Sequence, residues 1–351
     1  MESKFKKTNI KQIWIGTGLI ALDVIIDEIN NNPQELLSGG SCGNVSSIMT
    51  FFGFDSYPIA RLKKNLATTE LTKDLKKWKV KTKLVTATKD GSTPIIIQRI
   101  KTNKQGNPIH KFEFKDPKNG TWLPNYKPVL SAEVSNIVKN APIPSVFYFD
   151  RINRGSIDFA KFYKSKGSLI YFEPSSIGEM RLFEECLQVA DIIKFSTDRI
   201  SNYESLFPIQ RVPLEIQTHG IEGISYRFGK KLNEKKWHKL PVFSISGLVD
   251  ASGAGDWMSA GLMTTIGKQG SKGFENLDSK KVIAALRFGQ ALGSLNCFYN
   301  GARGLMYNHT KSQIETLVKQ LQKSKADYTL LVKNKNKKSK KASIDISKLY
   351  K

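Results

Sequence analysis

The chain has 351 residues, 40% of them hydrophobic and 10% aromatic, enough to pack one large domain or two small ones. No run of about 18 apolar residues occurs, Met1-Glu-Ser-Lys-Phe-Lys-Lys7 lacks the apolar centre of a secretion signal, and Cys42, Cys186 and Cys297 show neither a disulfide framework nor paired zinc spacing. A helical membrane span and a disulfide scaffold are thereby excluded, and a cytoplasmic protein is expected. The formal charge of +24 invites a nucleic-acid partner, but nine lysines fall in residues 325–351 and another nine basic residues in 61–83, with no aromatic-interleaved stripe. Nucleic acid is disfavoured against a lysine-rich surface that attracts anionic metabolites.

Residues 10–26 cluster apolar side chains as a pair of strands would, with Gly16 and Gly18 between the pieces. Gly16-Thr-Gly18-Leu-Ile-Ala21 imitates a dinucleotide-binding fingerprint, whose glycines must open a helix. Here Val24-Ile-Ile26 is β-branched and Asn30-Asn-Asn-Pro33 follows, so the reading is strand and turn. Residues 45–52 read as helix, 55–61 as the next strand and 69–78 as an amphipathic helix. Residues 93–100 and 110–114 are strand-like runs joined by Lys104-Gln-Gly-Asn-Pro108, a hairpin inside an alternating pattern. Strands at 145–149, 168–172, 192–194 and 213–217, with helices at 157–164 and 179–189, make repeated βα units and hence a parallel sheet covered on both faces. Residues 243–249 look like a strand, 257–266 like a helix, and 279–299 like two packed helices or one long one. Lysine dominates 333–341, expected to be disordered.

Between the last strand and its helix lies Asp250-Ala-Ser-Gly253-Ala-Gly255-Asp256-Trp-Met-Ser-Ala-Gly261. Glycines let the backbone approach a ligand, and the first N–H groups of a helix lack partners, so such a turn binds anions. Asp256, inside this electropositive turn, is expected to stay ionised and to take a proton from a hydroxyl attacking phosphorus. The plain alternative is a carboxylate favoured by the helix dipole. No Gly-x-x-x-x-Gly-Lys-Ser/Thr occurs, so a P-loop does not hold the phosphates.

This stretch resembles the C-terminal signature of the ribokinase/phosphofructokinase-B family of carbohydrate and nucleoside kinases, Asp-x-x-Gly-Ala-Gly-Asp followed by an aromatic residue and, five residues after the second Asp, a Gly or Ala. Ser38-Gly39-Gly40-Ser41-Cys42-Gly43-Asn44 is similar to the family's Gly-Gly signature, and the order of elements continues the resemblance from about residue 13 to 306. The resemblance implies an α/β, ribokinase-like fold: a central, mostly parallel sheet flanked by helices, with a small β lid from about residues 20–38 and 84–115. The kinase domain would cover 1–324, and 325–351 would be a basic, disordered tail dispensable for catalysis. ATP would phosphorylate a primary hydroxyl of a small sugar or a nucleoside, with Mg2+ bridging the nucleotide phosphates. The family is often activated by a monovalent cation such as K+, and a homodimer is compatible with it.

Residue by residue, the resemblance makes Asp256 the base and Gly253, Ala254 and Gly255 the anion hole. Thr218-His-Gly220-Ile-Glu-Gly223 is similar to the family's Thr-x-Gly-x-x-Gly beside ATP. Lys194 and Ser196 begin the place of the Asn-x-x-Glu element, in which Ser196 and Arg199 replace the Asn and Glu; metal ligands are therefore left unassigned. Asp250 falls on the nucleotide side. Asp23, read at the end of the first strand, would accept sugar hydroxyls, Gly39 and Gly40 would lie against the ring, and Asn44 would bind substrate or cap a helix. Arg151, next to Asp150, would pair with a substrate phosphate or a neighbouring carboxylate. Trp14, Phe112, Phe114 and Trp122 are available as an apolar slot for a nucleoside base, and the role of Glu173-Pro-Ser175 is open. A catalytically silent binding protein is the rival from another class; the intact 250–261 signature opposes it.

Overall fold

The computed structural model describes residues 12–29, 34–102, 108–324, 328–330 and 345–351, so the turns expected at 30–33 and 104–108 and the lysine run at 333–341 lie wholly or mostly outside the described residues. The elements in chain order are β1 (Ile13–Thr17), β2 (Ala21–Asp27), β3 (Glu35–Gly39), α1 (Ser41–Phe51), β4 (Asp55–Lys63), α2 (Leu66–Lys77), β5 (Val85–Thr88), β6 (Ile95–Thr102) and β7 (Pro108–Glu113). There follow α3 (Ser131–Asn140), β8 (Val146–Phe149), α4 (Arg154–Ser165), β9 (Leu169–Phe172), α5 (Met180–Val189), β10 (Ile192–Ser196), α6 (Tyr203–Leu206), β11 (Leu214–Thr218), β12 (Ile224–Phe228) and β13 (His238–Leu240). The remainder is helical: α7 (Ala254–Ile266), α8 (Gly270–Glu275), α9 (Ser279–Asn296), α10 (Gly304–Asn308), α11 (Lys311–Lys323) and α12 (Ser347–Tyr350).

Nine strands form one sheet in the order β13-β12-β11-β10-β9-β8-β1-β4-β5. Every pairing from β11 to β5 is parallel, and only the pairings β11–β12 and β12–β13 at one edge are antiparallel. Its central strands are apolar on both faces because both are covered: Trp14, Tyr148 and Tyr171 enter one core cluster, while Ile15, Phe147, Phe149, Ile170 and Phe172 enter the other. A second, separate sheet has the order β3-β2-β6-β7 and holds the strands expected to form a lid. In it β2 pairs parallel with β6 and antiparallel with β3.

Four expectations need correction. The two strands read in residues 10–26 do not pair, since β1 is central in the large sheet and β2 belongs to the lid. Val85–Thr88 pairs with β4 at the edge of the large sheet, so the lid's second part begins near Ile95. Residues 243–249 are not a strand: only an isolated bridge, Ile245 with Tyr328, forms there, and Leu248 and Val249 are exposed, so apolar composition found no sheet edge to join. The tail is not detached throughout, because Ile346 and Leu349 are buried in the core and Tyr350 donates to Asp116 at 2.8 Å.

Residues 279–299 form one main helix, α9, packed on α7. Its small residues explain the closeness. A side chain on Gly289 would meet the Met258 carbonyl at 2.6 Å, and one on Gly293 the Ala254 carbonyl at 2.8 Å. This packing fixes the start of α7 in space.

Candidate active site

The start of α7 lies at the carboxyl ends of the parallel strands, where ligand groups collect. Gly253 caps it in the left-handed conformation, φ 73°, and a Cβ there would strike the Ala302 backbone. No side chain caps the helix. Ala254 N–H is engaged by the Ala251 carbonyl at 3.2 Å, whereas Gly255 and Asp256 have no carbonyl partner among the described residues. The N–H groups left open at this turn are therefore those of Gly255 and Asp256 rather than that of Ala254.

Asp256 is 9% exposed and accepts a 2.8 Å hydrogen bond from Asn44 Nδ2 on α1. Asn44 thus orients the candidate base and does not cap α1, whose N-cap is Gly40 at φ 75°. Against the expectation that the turn keeps Asp256 ionised, its surroundings act the other way. Burial, then the nearby Glu173 charge, pushes its carboxyl up to about 8.

Asp150, at the end of β8, is 1% exposed and accepts from Leu19 N–H at 2.8 Å and Cys42 N–H at 3.0 Å. It ties the crossing from β1 into the lid to the first turn of α1, and burial raises it to about 6. Gly18 is required here, because any Cβ would overlap the Asp150 carboxylate. Arg151 NH1 donates to the Asp150 carbonyl at 2.8 Å and stands 3.4 Å from its carboxylate. It also lines a cleft of about 190 Å³ with Ile152, Ser175, Ser176 and Gly178, so both readings of Arg151 remain chemically served.

Glu173, left open by the sequence, is central. It is ion-paired with Lys194 of β10 and accepts from Ser259 Oγ at 2.6 Å and Tyr148 OH at 3.2 Å. A side chain on Gly255 would meet Lys194 Nζ at 3.4 Å and Glu173 Oε1 at 3.9 Å, so this pair lies directly beside the glycine turn. Lys194 is 3% exposed.

On the lid side, Asp23 sits within β2 rather than at the end of β1. Its carboxylate packs against Gly39 of the neighbouring strand, its Oδ1 is buried with no hydrogen-bond partner among the described residues, and burial pushes it up to about 7. Gly40 turns the chain into α1 against the Leu19 backbone. Trp14 is 0% exposed in the core and is not free to form a base slot, because its strand is central; Phe112, Phe114 and Trp122 are exposed.

On the side expected to face a nucleotide, Ser196 pairs with Thr218 where β10 and β11 end. Gly220, φ 57°, and Gly223, φ 98°, shape the turn that follows, closed by His219 N–H donating to the Gly223 carbonyl at 2.9 Å. Asp250 accepts from Ser252 N–H at 2.8 Å and Gly301 N–H at 2.7 Å, so it braces the signature turn. Asp198 and Arg199 are exposed, and among the described residues no group of three His, Cys, Asp or Glu could hold a metal ion.

Comparison with solved structures places this architecture. Aminoimidazole riboside kinase from Salmonella enterica, solved with aminoimidazole riboside and an ATP analogue, superposes with a TM-score of 0.62 at 16% identity, covering 87% of this chain and 99% of that one. The nucleoside kinase of Methanocaldococcus jannaschii, an archaeal member of the ribokinase family, gives 0.61 at 16% identity over 88% and 99% of the two chains. Fructokinase from Vibrio cholerae, with fructose, ADP and calcium bound, gives 0.62 at 14% over 88% and 99%. The fold is ribokinase-like. No family model matches the sequence, and no curated protein matches it.

Within this ribokinase-like frame the structure joins Asp256, Asn44, Gly253 and Gly255 with Asp150, Glu173 and Lys194, and it joins Asp23 of β2 with Gly39 of β3 in the second sheet. Sequence reasoning missed the placement of Glu173 and the parts of Asp74 and Arg303, a buried ion pair described below. An acidic residue ending a parallel strand was the available signal for Glu173. Asp74 sits in a lysine-rich helix and Arg303 in a loop, and nothing local sets them apart.

Proposed function

We propose that the chain is an ATP-dependent kinase that transfers a phosphoryl group to a primary hydroxyl of a small sugar or sugar-like compound. The observation that carries this reading is the buried Asp256, held by Asn44 at the open start of α7 beside Gly253 and Gly255. A carboxylate pushed up to about 8 is a stronger base than an exposed one, suited to taking the proton of an attacking alcohol. The N–H groups of Gly255 and Asp256 would neutralise charge on the transferring phosphoryl, and Lys194 beneath them would add a positive charge in a site screened from water.

The chain offers no protein cage for magnesium among its described residues, but magnesium on nucleotide phosphates needs only one or two carboxylates and water. Glu173, 3.9 Å from the position of a Gly255 Cβ, is the carboxylate placed to assist. The chemistry such an ion would supply there is to offset the charge of the nucleotide phosphates. Thr218, Gly220 and Gly223 would flank the nucleotide, and Asp23 with Gly39 would receive the sugar. A panel of sugars and nucleosides assayed for ADP release tests the proposal. Magnesium-dependent release with one acceptor is expected, and absence of release with every acceptor overturns it.

A further inference from the structure

A buried cluster of charge beneath the lid joins three elements. Arg303 follows Ala302, the backbone on which Gly253 rests, and is 2% exposed. Its NH2 group donates to Asp74 Oδ2 on α2 at 2.7 Å and its NH1 group to Ser47 Oγ on α1 at 3.0 Å, with the Tyr307 ring 5.6 Å from the guanidinium. The same Asp74 oxygen accepts from Ser38 N–H at 2.9 Å and Ser38 Oγ at 2.7 Å. Ser38 precedes Gly39, against which Asp23 packs. The end of β3 therefore lies between two carboxylates, one paired and one not. The charged groups facing Asp23 are Arg303 and Asp74, and Tyr307 of α10 stands beside them.

Taking a guanidinium fully out of water is costly unless its donors are matched, and a buried pair is weak evidence for stability as such. Hydrophobic residues would fill the space more cheaply. We infer that Arg303 is a positioning residue for substrate recognition: locked by Asp74 and Ser47, it fixes the end of β3 and holds the Asp23 carboxylate where the hydroxyls of a substrate would meet it. The identity of that ligand rests on the kinase reading; the arrangement itself belongs to the folded chain. Burial raises Asp23 and Arg303 opposes the rise. Without the guanidinium, Asp23 would carry a proton through the neutral range and lose an acceptor site.

Three full-length variants, Arg303→Met, Arg303→Lys and Asp74→Asn, test this by carboxyl NMR titration of the protein labelled with 13C-aspartate, the Asp23 signal being assigned with Asp23→Asn. Asp23 should titrate near 7 in the unaltered protein, about one pH unit or more higher in Arg303→Met, near its starting position in Arg303→Lys, and lower in Asp74→Asn. General loosening would instead let water in and bring Asp23 down in both charge-removing variants, which would overturn the inference. So would an Asp23 titration unchanged by Arg303→Met. In turnover with the best acceptor, Arg303→Met should raise the acceptor KM by roughly tenfold or more, leave the ATP KM within about twofold, and be largely rescued by Arg303→Lys. Equal rises in both KM values would also overturn it. If the unaltered protein phosphorylates no acceptor, the kinase reading falls and the titration decides the role of Arg303 alone. Should Arg303→Met fail to fold, Arg303→Lys and Asp74→Asn still decide it: Asp23 near its starting position in the first and lower in the second supports the inference, while a fall in both, or no change in the second, overturns it.

Discussion

At the scale of residues, the site is built from carboxylates whose burial raises them, which gives the proposed activity a defined pH dependence. In the free enzyme Asp256 must lose its proton to act as base, so kcat/KM should climb with pH until about 8. Asp23, raised to about 7, must also be ionised to accept hydroxyls, and the slope of the logarithmic plot should steepen from one towards two below that value. Asp256→Asn should fold and lower kcat by about 10²–10⁴-fold. Its stability has the opposite sign. A carboxyl raised from 3.8 to about 8 binds more protons folded than unfolded, so its contribution is present at low pH and lost as pH rises through that window. Thermal unfolding should show Asp256→Asn gaining on the unaltered protein between pH 5 and 8; a constant gap would mean that Asp256 is not desolvated. Asp23→Ala should raise KM for the acceptor by roughly 10- to 150-fold, the loss of a charged acceptor being worth about 1.5–3 kcal/mol, and leave KM for ATP nearly unchanged. Equal effects on both would make Asp23 structural. Much at this scale was legible because the signature turn is local: Asp250, Gly253, Gly255 and Asp256 lie within seven residues of one another. The partners of these groups were not, since Asn44 reaches Asp256 across 212 positions and Arg303 reaches Asp74 across 229.

At the scale of elements, the βα alternation and the lid strands could be read from periodicity, because each strand's pattern reflects how many of its faces are covered. Failures came where an element depends on a distant neighbour. Residues 243–249 have strand composition but no edge to pair with, and α12 has only four residues, too few for a period to show. Yet α12 changes what the tail is expected to do. Leu349 is 0% exposed, Tyr350 donates to Asp116, and Lys118 pairs with Asp345 at 2.9 Å, so the C-terminal residues join the core near α2 to the loop that returns from β7. Ending the chain after Ser324 would strip these contacts, as well as the Tyr328 bridge to Ile245. Leu349→Ala should cost about 2–3 kcal/mol in urea unfolding, near the low end for a core leucine because a chain end relaxes easily. Deleting residues 345–351 should also speed hydrogen exchange in residues 116–121. Unchanged stability and exchange would restore the view of a dispensable tail.

At the scale of the whole molecule, the sequence reads as a ribokinase-like chain with an unusual charge, and the two proposed substrates respond to that charge differently. A net charge of +24 makes a positive field around the protein. Among the described residues, lysines in ion pairs include Lys194 with Glu173, which is buried, Lys164 with Asp191 at 2.8 Å and Lys118 with Asp345 at 2.9 Å. An anionic nucleotide would be drawn in by this field, whereas a neutral sugar would feel almost none of it. The field falls off over about 10 Å at 0.1 M salt, so it would act on approach, while in the proposed mechanism Lys194 and the turn at Gly255 would act in the bound state, shielded from salt. Raising monovalent salt from about 50 to 200 mM at saturating magnesium should therefore raise KM for ATP several-fold, leave KM for a neutral acceptor flat, and change kcat little. Initial rates with each substrate varied in turn measure this. A salt effect of equal size on both KM values would place its origin in the fold rather than in steering, and no effect on ATP would leave the excess lysine without a part in recognising the nucleotide.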